Sequence, residues 1–221
     1  MECKGGLLGI LCGIDAEADI ARKIANAEVA CAGARPQRAR WLARELVQRG
    51  AKRLISFGIA GGLEPGLPVG SMIIGSQVTS LDGSTLCDKS WTADLMHKFP
   101  EAHCGPVWGS EMIVASAREK RALYEKSRCL AVDMESQCAA QIAAEANIPL
   151  AVLRVVCDSA DMDVPPVVMA SIAEDGRINV GKALWHILRH PMQIPDLFHV
   201  TRGTGKALRA LRGSARLLGS S

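Results

Sequence analysis

Residues 129–161 read CLAVDMESQCAAQIAAEANIPLAVLRVVCDSAD. A short apolar run, an alanine-rich stretch and a second apolar run rich in β-branched residues follow one another, which predicts strand, helix, strand. The helix is expected over 136–146 and stops before Asn147-Ile148-Pro149, because the residue ahead of a proline is pushed out of helical geometry. Glu135 stands just past the first apolar run and Asp158 just past the second. Strands joined by a crossover helix run parallel, so both carboxylates reach one edge of the sheet, where ligands of open α/β sheets collect. Two acids on loops at that edge can hold the hydroxyls of a ligand and hand a proton to a departing group.

Outward from this unit the pattern repeats. Strands are expected over 7–13, 52–58 and 70–78, with 107–114 extended. Helices are expected over 15–27, 35–48, 91–99 and 117–127. Residues 79–90 read as a loop with a turn at Asp82-Gly83. Two or three helices, punctuated by Pro191 and Pro195, finish the chain. Alternating strands and helices predict an α/β fold, a three-layer α/β/α sandwich around a mixed, mostly parallel central sheet. A length of 221 residues fits one domain. Its body is placed at 1–180, and 181–221 is read as a basic amphipathic helical extension of the same domain.

Aromatic residues make up only 4% of the chain, so the 48% hydrophobic content must build its core from Ala, Val, Leu and Ile. The net charge of +3 is too small to argue for nucleic acid. The charge is nonetheless uneven. Lys182, Arg189, Arg202, Lys206, Arg209, Arg212 and Arg216 face Asp196 alone in the last 41 residues, which leaves the remainder net acidic. This tail reads as a helix packed on the domain, or as a contact for an anionic membrane surface. Nucleic acid is the weakest reading, since few aromatics interleave the charges for base stacking. The eight cysteines form no CxxC pair and mostly sit in apolar runs, as free buried thiols do in a reducing compartment. With no signal peptide and no membrane-spanning run, a cytoplasmic protein is expected, peripheral to the inner membrane face if the tail binds there.

Four further features carry more than one reading. Gly58-Ile59-Ala60-Gly61-Gly62 follows a strand but lacks the Gly-Lys-Ser/Thr of a phosphate loop, and Pro65 and Pro68 spoil a dinucleotide fingerprint. It is either a tight turn or a place where backbone comes close to a ligand. Asp133 and Glu135 are either solvated turn acids or site residues. Arg154 lies inside an apolar run, so it needs a carboxylate partner, in a structural ion pair or in the site. His186 and His190 share a helical face but lack the Glu of a zincin motif, so no metal is expected.

These residues carry a resemblance. Val132-Asp133-Met134-Glu135-Ser136, the alanine-rich helix, Ile148-Pro149 and Leu153-Arg154-Val155-Val156-Cys157-Asp158 resemble the signature of the purine nucleoside phosphorylase and methylthioadenosine/adenosylhomocysteine nucleosidase superfamily. Residues 56–63 with Val69-Gly70-Ser71 resemble its glycine-rich strand turn, and 9–17 its first strand and acidic stretch. Pro165-Pro166, Glu174-Asp175-Gly176-Arg177, the Arg-His-Pro at 189–191 and the basic tail are similar to the hopanoid-biosynthesis-associated branch, whose members are held to remove adenine from adenosylhopane.

The resemblance implies roles. Glu135 would hold the ribose hydroxyls, and Met134 would pack on the sugar. Asp158 would protonate or hydrogen-bond N7 of the purine, since adenine leaves poorly as an anion. Met112 and Ile113 would sandwich and read the base. Glu17 would activate water in a hydrolase. A phosphorylase needs an anion site instead, and Ser56 and Ile59 stand where the bacterial hexameric phosphorylases carry an arginine and a serine. Arg35, with the backbone of Ala60 and Gly61, is the substitute for phosphate, unless Arg35 is simply an exposed residue at a helix start.

The expected function is therefore an enzyme of the purine nucleoside phosphorylase type. It would cleave the N-glycosidic bond of a 5′-substituted adenosine, adenosylhopane above all, with phosphate as co-substrate and no other cofactor. Val167, Val168 and Met169 are candidates to line a path for a lipid. The alternatives are a hydrolytic methylthioadenosine/adenosylhomocysteine nucleosidase and a non-catalytic nucleoside-binding or membrane-associated protein. The resemblance also implies a homo-oligomer without nucleic acid.

Overall fold

The computed structural model describes residues 6–165 and 194–219. Among the described residues, eight strands form one mixed sheet: β1 (Leu8–Cys12), β2 (Ala27–Cys31), β3 (Arg53–Gly62), β4 (Met72–Ser80), β5 (Gly83–Leu86), β6 (His103–Gly109), β7 (Ala131–Asp133) and β8 (Leu150–Asp158). The order is β2-β1-β3-β7-β6-β4-β5, and β8 pairs with both β3 and β4. β3, β8, β4, β6 and β7 therefore close into a ring at the centre of the sheet. Five of the eight pairings are parallel, so the mixed and mostly parallel sheet expected from the sequence is present.

Among the described residues, six helices cover it: α1 (Asp15–Ala21), α2 (Pro36–Gln48), α3 (Lys89–Lys98), α4 (Ala117–Ser127), α5 (Ser136–Glu145) and α6 (Ile194–Gly219). One face of the sheet buries Leu54, Ile73, Val152 and Val156 against Ala39, Ala43 and Leu46 of α2 and Cys138, Ala139 and Ile142 of α5. The other buries Ile10, Ile55, Ile74, Leu153 and Val155 against α1, α3 and α6. α4 closes the ring end, where Leu123 and Tyr124 pack on Leu63, Trp108, Cys129 and Val132. Aliphatic and alanine side chains dominate both main clusters, as the low aromatic content required.

Several expected elements change. The helix read over 15–27 ends at Ala21, and a left-handed Asn26 (φ 54°) turns the chain into β2, paired in parallel with β1. The loop read over 79–90 contains β5, which makes a hairpin with β4 across the Asp82-Gly83 turn. The extended stretch read over 107–114 ends as a strand at Gly109. Gly58–Gly62 is not a turn, because β3 runs on to Gly62, with Gly61 paired to Val132 of β7 and to Asp158 of β8. Of the two or three helices expected at the end of the chain, the described residues hold one, of 26 residues; 166–193, with His186, His190 and 167–169, lie outside the described residues.

α6 spends its small and apolar side on the domain. Gly203, Ala207, Leu211, Ser214 and Ala215 are buried, and Gly203 lies so close to the Cys157 carbonyl oxygen that an added Cβ would come within 2.3 Å of it. Arg202, Lys206, Arg209, Arg212 and Arg216 remain exposed, with Leu217 beside them. No helix among the described residues is long and apolar enough to cross a membrane.

Candidate active site

The site is built along the last half of β3, where β1, β7 and β8 end. The two strands of the 129–161 unit are not the parallel pair expected from the sequence: β8 runs parallel to β3, but β7 runs antiparallel to it, so Glu135 arrives because β7 runs back along β3 from Gly62, while Asp158 arrives at the forward end of β8. β1 ends at Cys12, and Gly13 and Ile14 lead into α1. Glu17, in the first turn of α1, folds back so that its Oε2 accepts from Gly13 N–H (2.7 Å) and Ile14 N–H (3.0 Å), while Oε1 accepts from Ile59 N–H of β3 (2.8 Å). That is one half of a capping box extended to a neighbouring strand. It pins the side chain against β3, where an added Cβ on Gly58 would lie 2.6 Å from the Glu17 carboxyl carbon and 2.7 Å from Arg154 Nη1. Gly58 is small because two charged groups occupy the space beside it.

β7 ends in Asp133, whose Oδ1 accepts from Glu135 N–H (2.8 Å) and Ser136 N–H (2.6 Å) and whose Oδ2 meets the Ser136 hydroxyl (2.5 Å). Asp133 thus satisfies the open N–H groups at the start of α5, and Glu135 is left to point inward. An added Cβ on Gly13 would come within 2.8 Å of Glu135 Oε1, so β1 and β7 bring Glu17 and Glu135 to one place. Neither acid is a solvated turn residue: Asp133 is 6% exposed and Glu135 4%.

Arg154 of β8 lies beneath both acids and is fully buried. Its Nη2 is 3.3 Å from Glu135 Oε2 and 2.5 Å from Ser56 Oγ, its Nη1 donates to Ile59 O (3.3 Å), and its Nε lies 3.1 Å from Asp133 Oδ2 in ion-pair contact without hydrogen-bond alignment. The ion pair that the sequence demanded is real, and it lies in the site. One guanidinium faces Asp133, Glu135 and Glu17. Burial pushes the Glu17 carboxyl up. Burial also pushes Glu135 up to about 8, with Arg154 opposing and Asp133 and Glu17 reinforcing the shift.

A carboxyl that holds its proton more tightly when folded stabilises the fold at low pH. That stability is fully present below the ordinary 4.5 and is lost as pH rises through about 8. Glu135→Gln should therefore flatten the decline in melting temperature between pH 5 and 8. Thermal melts of both proteins across that range check this, and parallel curves would contradict it.

Asp158 ends β8 one bulge further on. Ala60 pairs with Val156 but Gly61 pairs with Asp158, so Cys157 is an extra residue that turns the strand end. Asp158 is 7% exposed and its Oδ2 would lie 3.3 Å from a Cβ on Gly61. Gly58 and Gly61 are three strand residues apart, about 10 Å at the usual rise, so the Glu17–Arg154 contact and Asp158 lie at different points along β3. The Cys157 thiol lies 2.9 Å from Asp158 Oδ1 and 3.3 Å from Ala60 O. Burial pushes its pKa well up, which keeps it a thiol.

Sequence reasoning missed Lys120 of α4. It is wholly buried and forms an ion pair with Asp158 Oδ2. The run Glu119-Lys120-Arg121 looks like a solvated helix face, and the only local hint is the apolar Ala117 and Leu123–Tyr124 around it.

The remaining expected residues are less tightly placed. Met134 is half-buried beside Glu135. Met112 is 76% exposed on the loop after β6, held by the Ser110 hydroxyl, with Ile113 half-buried beside it. That loop is tied to the segment after Asp158 by Val164 N–H donating to Ala115 O (2.7 Å), so it flanks the Asp158 end of the site. Arg35 is exposed ahead of α2, next to Ala34, whose N–H donates to Gly13 O (2.9 Å). The described contacts of the acid cluster do not include Arg35. Ala60 and Gly61 form strand ladders with β8 and β7, not an open cradle of N–H groups.

Residues 24–188 match the model of a family described as the phosphorylase superfamily. The chain belongs to the phosphorylase superfamily. Among solved structures, 5′-methylthioadenosine/S-adenosylhomocysteine nucleosidase from Neisseria meningitidis, in complex with methylthio-immucillin-A, is similar with a TM-score of 0.74 at 16% identity, over 97% of this chain and 99% of that one. Futalosine hydrolase of Helicobacter pylori gives 0.71 at 15% identity, over 97% and 96%. S-adenosylhomocysteine nucleosidase from Streptococcus pyogenes gives 0.69 at 16% identity, over 96% and 97%. At such identities these likenesses establish the shared fold. No curated protein matches the sequence.

Proposed function

We propose that the protein cleaves the N-glycosidic bond of a 5′-substituted adenosine, releasing adenine, with water as the nucleophile. The observation that carries this is the charge of the cluster at Gly13 and Gly58. Glu17 and Glu135 lie side by side over a single guanidinium that already meets Asp133, Glu135, Ser56 and Ile59 O. An entering phosphate dianion would meet two further carboxylates and no uncommitted cation among these groups, whereas a water molecule suits both acids. Glu17 uses three of a carboxylate's roughly four acceptor positions on backbone N–H groups, which leaves one for a water proton. Its raised affinity for protons suits a base.

Glu135 accepts the ribose hydroxyls, and its ionised form, which Arg154 favours against burial, supports the oxocarbenium character that develops as the bond breaks. Asp158 serves N7 of the departing base, about 10 Å along β3. The nucleosidases among the similar structures support hydrolysis of this kind of substrate. Phosphorolysis of adenosylhopane, expected from the sequence, finds no support in the family match or in these neighbours.

The test is adenine release from methylthioadenosine, with and without phosphate, together with identification of the sugar product. Equal rates and a free reducing sugar are expected. An absolute need for phosphate, with a sugar 1-phosphate formed, would overturn the hydrolytic reading. Release from adenosylhopane alone would replace the substrate.

A further inference from the structure

We infer that Lys120 is a positioning residue for the departing base, acting through Asp158. The inference rests on the reading of Asp158 just given. Lysine is almost never fully buried unless it is paired, and Lys120, near the start of α4, is wholly buried. All three of its ammonium donors are used: one on Asp158 Oδ2, one on Ser159 O (3.0 Å) and one on Met162 O (2.8 Å). Two more bonds clamp the same segment to the start of α4, from Ala117 N–H to Asp163 Oδ1 (2.7 Å) and from Val164 N–H to Ala115 O (2.7 Å). Backbone clamps of this kind hold a loop without any buried charge. Buried ion pairs are often no more stabilising than apolar groups of equal volume, so stability does not explain why the fifth contact is an ammonium on the site's carboxylate.

Chemistry does. As the C1′–N9 bond breaks, its electron pair passes to the base. Asp158, a carboxylate in its ion pair with Lys120, takes a proton from solvent and passes it to N7, adenine leaves neutral, and the aspartate returns to the carboxylate that Lys120 pairs. Water adds to C1′ and its proton goes to Glu17, from which solvent returns a proton to Asp158. The ammonium of Lys120 pairs with Oδ2 and the Cys157 thiol donates to Oδ1 (2.9 Å), so the carboxylate is held in one orientation beside Gly61.

A residue that acts in this way matters only for leaving groups that need a proton. The experiment compares Lys120→Met with wild type on methylthioadenosine and on the 4-nitrophenyl glycoside of the same methylthioribose, whose phenolate departs unprotonated. We expect kcat on methylthioadenosine to fall about 100-fold, the lower range of a general acid's contribution, and kcat on the nitrophenyl glycoside to change less than about threefold. A fall of equal size on both substrates would overturn the inference. Should Lys120→Met leave Asp158 unpaired and fail to fold, the double variant Lys120→Met/Asp158→Asn, which buries no unpaired charge, is compared with Asp158→Asn. Equal rates of adenine release mean that Lys120 acts through Asp158, and a double variant well below the single one refutes it. Adenine release by Asp158→Asn at the wild-type rate would instead remove the assigned role of Asp158 itself.

Discussion

Glu17→Gln should fold and lower kcat for adenine release by about 10²- to 10⁴-fold, the range of a positioned general base. The glutamine keeps the shape of the side chain but loses the base. It also meets the three N–H groups differently. With its oxygen toward Gly13 and Ile14, its NH2 faces the Ile59 N–H, and one of the present bonds is lost. A buried donor left without a partner costs about 1–3 kcal/mol. That corresponds to a fall in melting temperature of a few degrees per kcal/mol for a chain of this size, partly offset because no charge is then buried. The two readouts separate the alternatives. A stable variant with near-normal turnover would reduce Glu17 to a clasp between β1, α1 and β3, and the hydrolytic reading would lose its base. A stable variant with collapsed turnover, and with KM for methylthioadenosine little changed, places Glu17 in the chemical step.

Much of this site is visible in the linear sequence because its chemistry sits at strand ends. The runs at Ala131–Asp133 and Leu150–Asp158 stop where an acid must appear, and Arg154 announced a buried partner by sitting in an apolar run. The helix at Ala117–Ser127 was equally readable, since Ser116 and Glu119 form a reciprocal cap. What escaped is governed by partners far away in the chain. β2 is a five-residue strand, Ala27–Cys31, with no alternation of its own, and it exists because β1 offers it an edge. β5 is Gly83–Leu86, mostly exposed, and it takes its register from β4. The glycines at 58 and 61 suggest a turn locally. Their real reason is space for Glu17, Arg154 and Asp158, residues 41 to 97 positions away along the chain. Lys120 finds its carboxylate 38 residues later, beyond any helical periodicity.

The largest loss of stability should follow Arg154→Met. The guanidinium is fully buried on β8, between Gly58 of β3 and Ile73 of β4, and it is the cation that faces Asp133, Glu135 and Glu17 together. Methionine fills part of the volume and supplies no charge, so the acids are left buried and uncompensated. Removing one partner of a buried pair costs about 3–5 kcal/mol, against a total stability that is commonly about 5–15 kcal/mol. For a chain of this length the melting temperature should drop by roughly 6–20 °C near neutral pH. The loss should also depend on pH in a defined direction. Arg154 opposes the upward shifts of Glu17 and Glu135, so its removal makes the folded carboxyls hold protons more tightly still. A folded state that binds more protons than the unfolded chain gains stability as pH falls. The gap between wild type and Arg154→Met should therefore narrow from pH 8 toward pH 5. Adding Glu135→Gln to the variant should recover part of the loss at pH 8, because it removes a carboxyl that must take up a proton or stay charged without its partner to be buried. A gap that stays constant with pH would mean that Arg154 contributes packing alone, and that the acids do not share its charge.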